Sequence, residues 1–344
     1  MIDKITEFRL KMRNVVKIGV TCLAVVVMFV ACDRNNGNGK EEEKEVIDVY
    51  VAGSQGRSAL LWKNGVAQNL AEYPLGAGAT SVYVSGGDVY VAGYANQTVN
   101  VGSNAAIIWK NGVEQSLTDG KRNAIATSIH VSGNDMYVTI RDDDWISKLW
   151  KNGVVQNLTD GISGARALSV YVSGNDVYVA GGGEYYFFGG TQKSSVAKLW
   201  KNGVEQSFTN GNENAEANSV YVSGNDVYVA GYEVNVAKFW KNGVVQDIPD
   251  GTRANSVYVA GNDVYVAGVG GKIAKLWKNG IAQNLSDGTN AAVANSVFVL
   301  DKDVYVVGTD NGIATLWKNG VPQSLTNERS SANSVFVVKQ KISK

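Results

Sequence analysis

Two stretches decide how the chain folds: Ser219-Val-Tyr-Val-Ser-Gly-Asn-Asp-Val-Tyr-Val-Ala-Gly231 and, five residues further on, Ala237-Lys-Phe-Trp-Lys-Asn-Gly-Val-Val-Gln-Asp-Ile248. The first is two Val/Tyr runs around a Gly-Asn turn. The second is two more runs around Asn-Gly, the strongest short hairpin signal, because a type I′ turn needs φ > 0 at both central residues. Together they predict four strands, here A to D, in one unit. The unit recurs: Trp-Lys-Asn-Gly starts at Trp62, Trp109, Trp150, Trp200, Trp240, Trp277 and Trp317, at spacings of 47, 41, 50, 40, 37 and 40. Four strands in a repeat of that length form the blade of a β-propeller.

Strand order follows from composition. Strands A and B read as near-continuous Val/Tyr runs, as expected for strands buried on both faces. Strand D reads Val-x-Gln-x-Leu and admits Pro322, Glu114 and Glu205, and proline and charge belong on an edge strand. Strand A is therefore expected at the axis and strand D at the rim. The first unit begins with a strand B (Val46 to Gly53) that lacks its A, and the chain finishes with a strand A (Ser334 to Val338) that has no B. The expected fold is all-β: a seven-bladed β-propeller over residues 46–340, four antiparallel strands per blade, closed by the C-terminal strand joining the N-terminal blade. Residues 341–344 form a tail.

Composition narrows the chemistry. The 344 residues carry Lys+Arg 32 against Asp+Glu 32, and 44% are hydrophobic, enough for a sizeable core. Gly (39) is common and Pro (3) scarce, which suits short strands joined by glycine turns. The neutral balance, with basic residues clustered only near the N-terminus, argues against nucleic acid as partner. One His and two Cys leave little for metal sites or for His- and Cys-based catalysis. There is no Gly-x-Ser-x-Gly elbow, Walker A loop, Cys-x-x-Cys pair or His-Glu-x-x-His motif. No cofactor, metal or catalytic residue is assigned.

The first 45 residues read as an address. Arg13 and Lys17 precede an apolar run from Ile18 to Ala31 that stops at Cys32. The run is short for a membrane span, which takes about 20 residues, and has the layout of a secretory signal over residues 1–31. Asp3 and Glu7 suit a signal poorly, which makes Met12 an alternative start. Phe29-Val30-Ala31-Cys32 resembles the lipobox of bacterial lipoproteins, with Phe29 where that family usually has Leu. The resemblance implies cleavage before Cys32 and lipidation of it, giving the several acyl chains that stable anchoring requires. Residues 32–45, with Asn-Gly-Asn-Gly and Glu41-Glu42-Glu43, read as a flexible acidic tether. The expected address is a bacterial envelope, at the outer membrane on its periplasmic side or the cell surface, with the lipid anchor as the only membrane contact.

From residue 46 onward the chain resembles seven-bladed propellers of bacterial surface lipoproteins. It lacks the Trp-Asp ending of WD40 repeats and the Ser-x-Asp-x-Gly-x-Thr-Trp box of sialidase-type propellers, so no functional residues carry over. Positions shared by all seven blades read as scaffold. The Asp before each strand B (Asp48, Asp88, Asp135, Asp176, Asp226, Asp263, Asp303) is expected to bond turn amides, and the seven Trp to fill wedges between blades. The serines opening strand A (Ser81, Ser128, Ser169, Ser219, Ser256, Ser296, Ser334) suit a narrow throat or a ligand on the axis. His130 stands where other blades have Tyr and reads as packed core.

Variation is confined to one face. The A–B and C–D turns are nearly uniform, while the B–C loops hold 5, 12, 6, 15, 5, 5 and 5 residues in blade order. The long ones carry Tyr94; Asp143, Asp144 and Trp145; and Glu184, Tyr185, Tyr186 and Phe187. Aromatics beside carboxylates and amides suit recognition of sugars or peptides, and loops on a rigid scaffold are common binding sites. These eight are the candidate ligand-binding residues, for a glycan or an envelope or host protein. Two alternatives stay open. One is a glycan-active enzyme using Asp142, Asp143, Asp144 and Glu184, whose carboxylate separation would reveal its mechanism. The other is a structural envelope component, whose sign would be a wide apolar patch on the disc edge.

Overall fold

In a computed structural model that describes residues 44–96, 103–143, 146–161, 164–183 and 194–342, the chain is a seven-bladed β-propeller. Each blade is a four-stranded antiparallel sheet in the order A-B-C-D. Blade 5 is representative, with strands Ala215–Ser223, Asp226–Glu233, Val236–Lys241 and Val244–Asp247. Blade 1 takes strand A from the other end of the chain: Ser330–Ile342 pairs with Lys44–Gln55 along their whole length, from Lys44↔Ile342 to Gln55↔Ser330. The ring is thus closed by hydrogen bonds between the two ends of the domain, which leaves no open sheet edge between the first and last blades.

Turn chemistry fixes the hairpins. Asn242 and Gly243 both have φ > 0 (51° and 81°), as type I′ demands. At the A–B turn only Gly224 does (58°), the pattern of type II′ with glycine first. Strand D is exposed along its whole length in most blades, as in Val244–Asp247, in keeping with a rim position.

The core lies in the seams between blades. In one seam Tyr178, Ala180 and Leu199 of blade 4 pack against Val220, Val222 and Trp240 of blade 5. Six of the seven motif tryptophans are at most 1% exposed and Trp150 is 5% exposed, so these rings do fill the wedges. The glycine late in strand B makes room for them. A Cβ on Gly231 would overlap the carbonyl oxygen of Glu216 and lie 3.0 Å from the Trp240 ring.

The A strands line the axis in three layers. Tyr83, His130, Tyr171, Tyr221, Tyr258, Phe298 and Phe336 form a closed ring in which each centroid lies 4.6–4.9 Å from the next. A regular heptagon of that edge has a radius of about 5.5 Å, so these rings constrict the axis. Two residues earlier, each ring serine accepts the backbone N–H of the next blade at 3.2–3.3 Å, as Ser219 Oγ does from Val257. The preceding residue sits at a β-bulge in every A strand. There Asn218, Asn255, Asn295 and Asn333 donate to the next blade's alanine carbonyl at 2.8–2.9 Å, and Thr80 and Thr127 do the same at 2.6 and 2.8 Å. Leu168 occupies this position in blade 4 and leaves the second hydrogen-bonded ring open between blades 4 and 5. The serines are therefore latches between blades.

Candidate binding face

The two ends of the disc differ. One carries the A–B and C–D turns and repeats a single clasp in every blade. In blade 5, Asp226 Oδ1 accepts from Asn242 Nδ2 at 2.7 Å and its Oδ2 pairs with Lys241 Nζ at 2.7 Å. The Tyr228 hydroxyl donates to that Oδ2 at 3.2 Å, and Asn242 Oδ1 accepts the Val227 N–H at 2.8 Å. The same Asp–Lys and Asp–Asn pairs recur in the other six blades. This corrects the expectation that the aspartates bond turn amides: they bind the Lys-Asn of the motif, and the asparagine takes the backbone N–H. Lys241 and then Asn242 hold the Asp226 carboxyl below the usual carboxylate range. Two grooves open between blades on the disc edge, about 590 Å³ beside Tyr137, Leu149 and Lys151 and about 310 Å³ beside Tyr228, Phe239 and Trp277. Both are lined by repeat residues.

The other end carries the B–C and D–A connections. Between Gln55 and Ser58 and in blades 5, 6 and 7 the B–C connection is two residues; it is nine between Ala95 and Ala105, four between Asp142 and Ser147, and twelve between Gly183 and Val196. Strands B and C run further than their sequence pattern suggests, so every loop is shorter than expected, but the long ones remain in blades 2 to 4.

Of the sequence-derived candidates, Tyr94 and Asp143 are described; Cys32, Asp144, Trp145, Glu184, Tyr185, Tyr186 and Phe187 lie outside the described residues. Tyr94 is half-buried, opposite Gly78 on strand A, where a Cβ would lie 2.8 Å from its ring. Its ring therefore covers bare backbone. Asp143 is exposed; its N–H donates to the Asn123 carbonyl at 3.1 Å and its Oδ1 accepts from Asn123 Nδ2 at 3.3 Å. Asn104 Nδ2 donates to Asn123 Oδ1 at 2.8 Å, so one polar chain links the loop of blade 2, the blade 2–3 connection and the loop of blade 3. Asp142 is buried at its side chain and ion-paired with Lys148.

The sequence reading missed a cluster at the ends of strands A and B. Arg166 Nη2 lies 2.9 Å from Glu216 Oε1, joining blades 4 and 5, and the Arg253 guanidinium stacks 4.6 Å from the Tyr232 ring, joining blades 5 and 6. Glu216 is 8% exposed. Their signal was there: the residue two before the bulge is Gly78, Ile125, Arg166, Glu216, Arg253, Val293 or Ser331, varied within a strand that is otherwise nearly uniform. No group of His, Cys, Asp and Glu among the described residues is arranged to hold a metal.

Neither the family models nor the curated proteins compared with this chain match it. Among solved structures it is similar to the computationally designed Ika8 protein, at 19% identity over 78% of this chain and 79% of that one, with a TM-score of 0.46. It is also similar to a chain of the nidogen/laminin complex, at 8% identity over 84% and 98%, with a TM-score of 0.47.

Proposed function

We propose that the chain is a lipid-anchored recognition module of a bacterial envelope, whose loop face binds a glycan or protein through blades 2 to 4. The observation that carries this reading is the contrast between the two faces. One repeats the same Asp–Lys–Asn clasp in all seven blades, while the other changes loop length and side-chain chemistry from blade to blade. Stability alone does not account for the long loops, because four blades manage with two residues. Their closure costs only about 0.6 kcal/mol per doubling of length, so a modest benefit sustains them.

The anchor is the reading of Cys32 and the acidic stretch after it. Strand B of blade 1 begins at Lys44, four residues before the clasp aspartate Asp48, and so enters from the clasp face. The exposed apolar residues of the edge, such as Val66, Val204 and Ile281, stand at the start of each strand D, at 66–76% exposure; they are spread around the disc, a distribution ordinary for a soluble surface.

Two measurements test the proposal. Cys32→Ala should abolish incorporation of labelled acyl chains, and persistent labelling defeats the anchor. In a glycan array and an envelope pull-down, Trp145→Ala should weaken capture about tenfold or more, as loss of an aromatic anchor worth about 2 kcal/mol implies. Unchanged capture in both Trp145→Ala and Tyr185→Ala, with the fold intact, removes the loops of blades 3 and 4 from the site.

A further inference from the structure

On the loop side of the aromatic ring the axis forms a pit whose lining side chains keep hydrogen-bonding capacity that the described residues do not use. Its floor is the aromatic ring, whose neighbouring centroids lie 4.6–4.9 Å apart. Each ring serine uses its oxygen to accept a neighbour's N–H, and its own proton has no acceptor among the described residues. Seven O–H donors thus face one axis. In the layer above, Asn218, Asn255, Asn295 and Asn333 each spend an amide N–H on the next blade, which fixes the carboxamide flip and leaves four Oδ1 acceptors with no donor among the described residues. Both layers are partly accessible to solvent.

The pit is also amphipathic. Its rim has a carboxamide arc in blades 5, 6, 7 and 1 and a methyl-bearing arc of Thr80, Thr127 and Leu168 in blades 2 to 4. Its floor has Tyr221 and Tyr258 on one side and Phe298 and Phe336 on the other. The ring imidazole, His130, is held neutral at neutral pH by burial. An anion would meet four carboxamide oxygens and no cation in these layers. A sugar ring offers what the pit lacks: hydroxyls that both accept and donate, and an apolar C–H face.

We infer that this pit binds a neutral polyhydroxylated ligand, a terminal sugar residue inserted along the axis from the loop face. The inference rests on the recognition role proposed above and names its ligand class, but it places the contact on the A strands and does not need the inserted loops. The test is saturation-transfer NMR on the full chain with methyl β-glucoside, methyl β-galactoside and N-acetylglucosamine, with inorganic phosphate as the competing probe. At least one sugar should bind saturably. The double variant Asn218→Thr/Asn255→Thr should weaken it at least fivefold with an unchanged melting temperature, because Thr80 and Thr127 already make the same inter-blade bond. The variant Tyr221→Phe, which copies blades 7 and 1, supplies a second lesion the fold already tolerates and should also weaken binding. No saturable sugar signal, preference for phosphate, or full affinity in both variants overturns the inference. Loss of sugar binding in Trp145→Ala with retention in the asparagine variant would overturn the axial site while supporting the loop site. The converse result assigns the sugar to the axis and leaves the loops to their own test.

Discussion

Replacing His130 by tyrosine should make the propeller more resistant to acid, and the size of the effect follows from the aromatic ring. His130 is 7% exposed, with its imidazole 4.6 Å from the Tyr83 ring and 4.8 Å from the Tyr171 ring. It meets no carboxylate there, and desolvation lowers its pKa from 6.5 to about 4. The folded state therefore binds this proton less readily than the unfolded chain. Between pH 6.5 and 4 the unfolded state holds more protons, so stability rises with pH in that window and falls as the solution is acidified. At about 1.4 kcal/mol per unit, acidification from pH 7 to pH 4 removes about 3 kcal/mol through this one group. His130→Tyr restores the residue of blades 2, 4, 5 and 6 and abolishes the contribution. Denaturant unfolding at half-unit pH steps from 7.5 to 4 should show the wild-type stability falling by about that amount relative to the variant. Parallel curves for the two proteins over this range would refute the reasoning, because they would require a histidine that titrates alike folded and unfolded.

Four further outcomes follow. Below the window of His130, the depressed carboxyls of the clasps stabilise the fold above the unfolded aspartate pKa, near 3.9, and lose that contribution as pH falls through their lower folded values; Asp226→Asn should flatten the acid limb, measured as the slope of melting temperature between pH 4 and 2. Leu168→Asn should complete the ring of inter-blade bonds by donating to the Ala217 carbonyl, raising stability in urea by about 1 kcal/mol, the usual net worth of one hydrogen bond. Trp240→Ala should cost about 3–5 kcal/mol in denaturant unfolding without altering ligand capture, since the ring is buried in the seam. Truncation after Glu328 removes strand A of blade 1 and exposes the edge of Val49 and Val51; calorimetry should show a broad, lowered transition, and a transition as sharp and high as the intact chain's would contradict closure by that strand.

The architecture was legible because its causes are local and repeated. Asn-Gly at a regular period announces the hairpins, Pro322 marks strand D as the rim, and the orphan strands at the two ends require each other. The clasp was harder to read. Asp226 and Asn242 are 16 residues apart, and only their joint recurrence in every blade hints that one binds the other. The latching role of the serines was also hidden, because a small residue at a narrow throat has a sufficient steric explanation. What single-blade reasoning could not reach is chemistry made across a seam. Arg166 meets Glu216, and Arg253 meets Tyr232, from different blades, so their pairing depends on the register of neighbouring sheets. Of the loop candidates, Tyr94 turns out to cover Gly78 and Asp143 to bind Asn123, roles fixed by contacts that loop composition does not encode.

Three departures from the repeat fall in blades 3 and 4, which also carry longer loops. Blade 3 has His130 in the aromatic ring, and Ile140 where six blades place the glycine that lies against tryptophan and the neighbouring backbone; its Trp150 is correspondingly less buried than the other six. Blade 4 breaks the asparagine–threonine ring at Leu168. Each departure gives up something the other blades retain: an inter-blade hydrogen bond, a close strand approach, or an aromatic that stays neutral in acid. In a seven-fold scaffold every position has six copies showing what stability prefers, so an exception has a measurable alternative within the same molecule. These three lie beside the methyl-bearing arc of the axial rim, and a local inconsistency of this kind is the sort that functional sites tolerate. Restoring the consensus residues there should therefore gain stability at the expense of ligand capture, whereas the same changes on the far side of the ring have nothing left to restore.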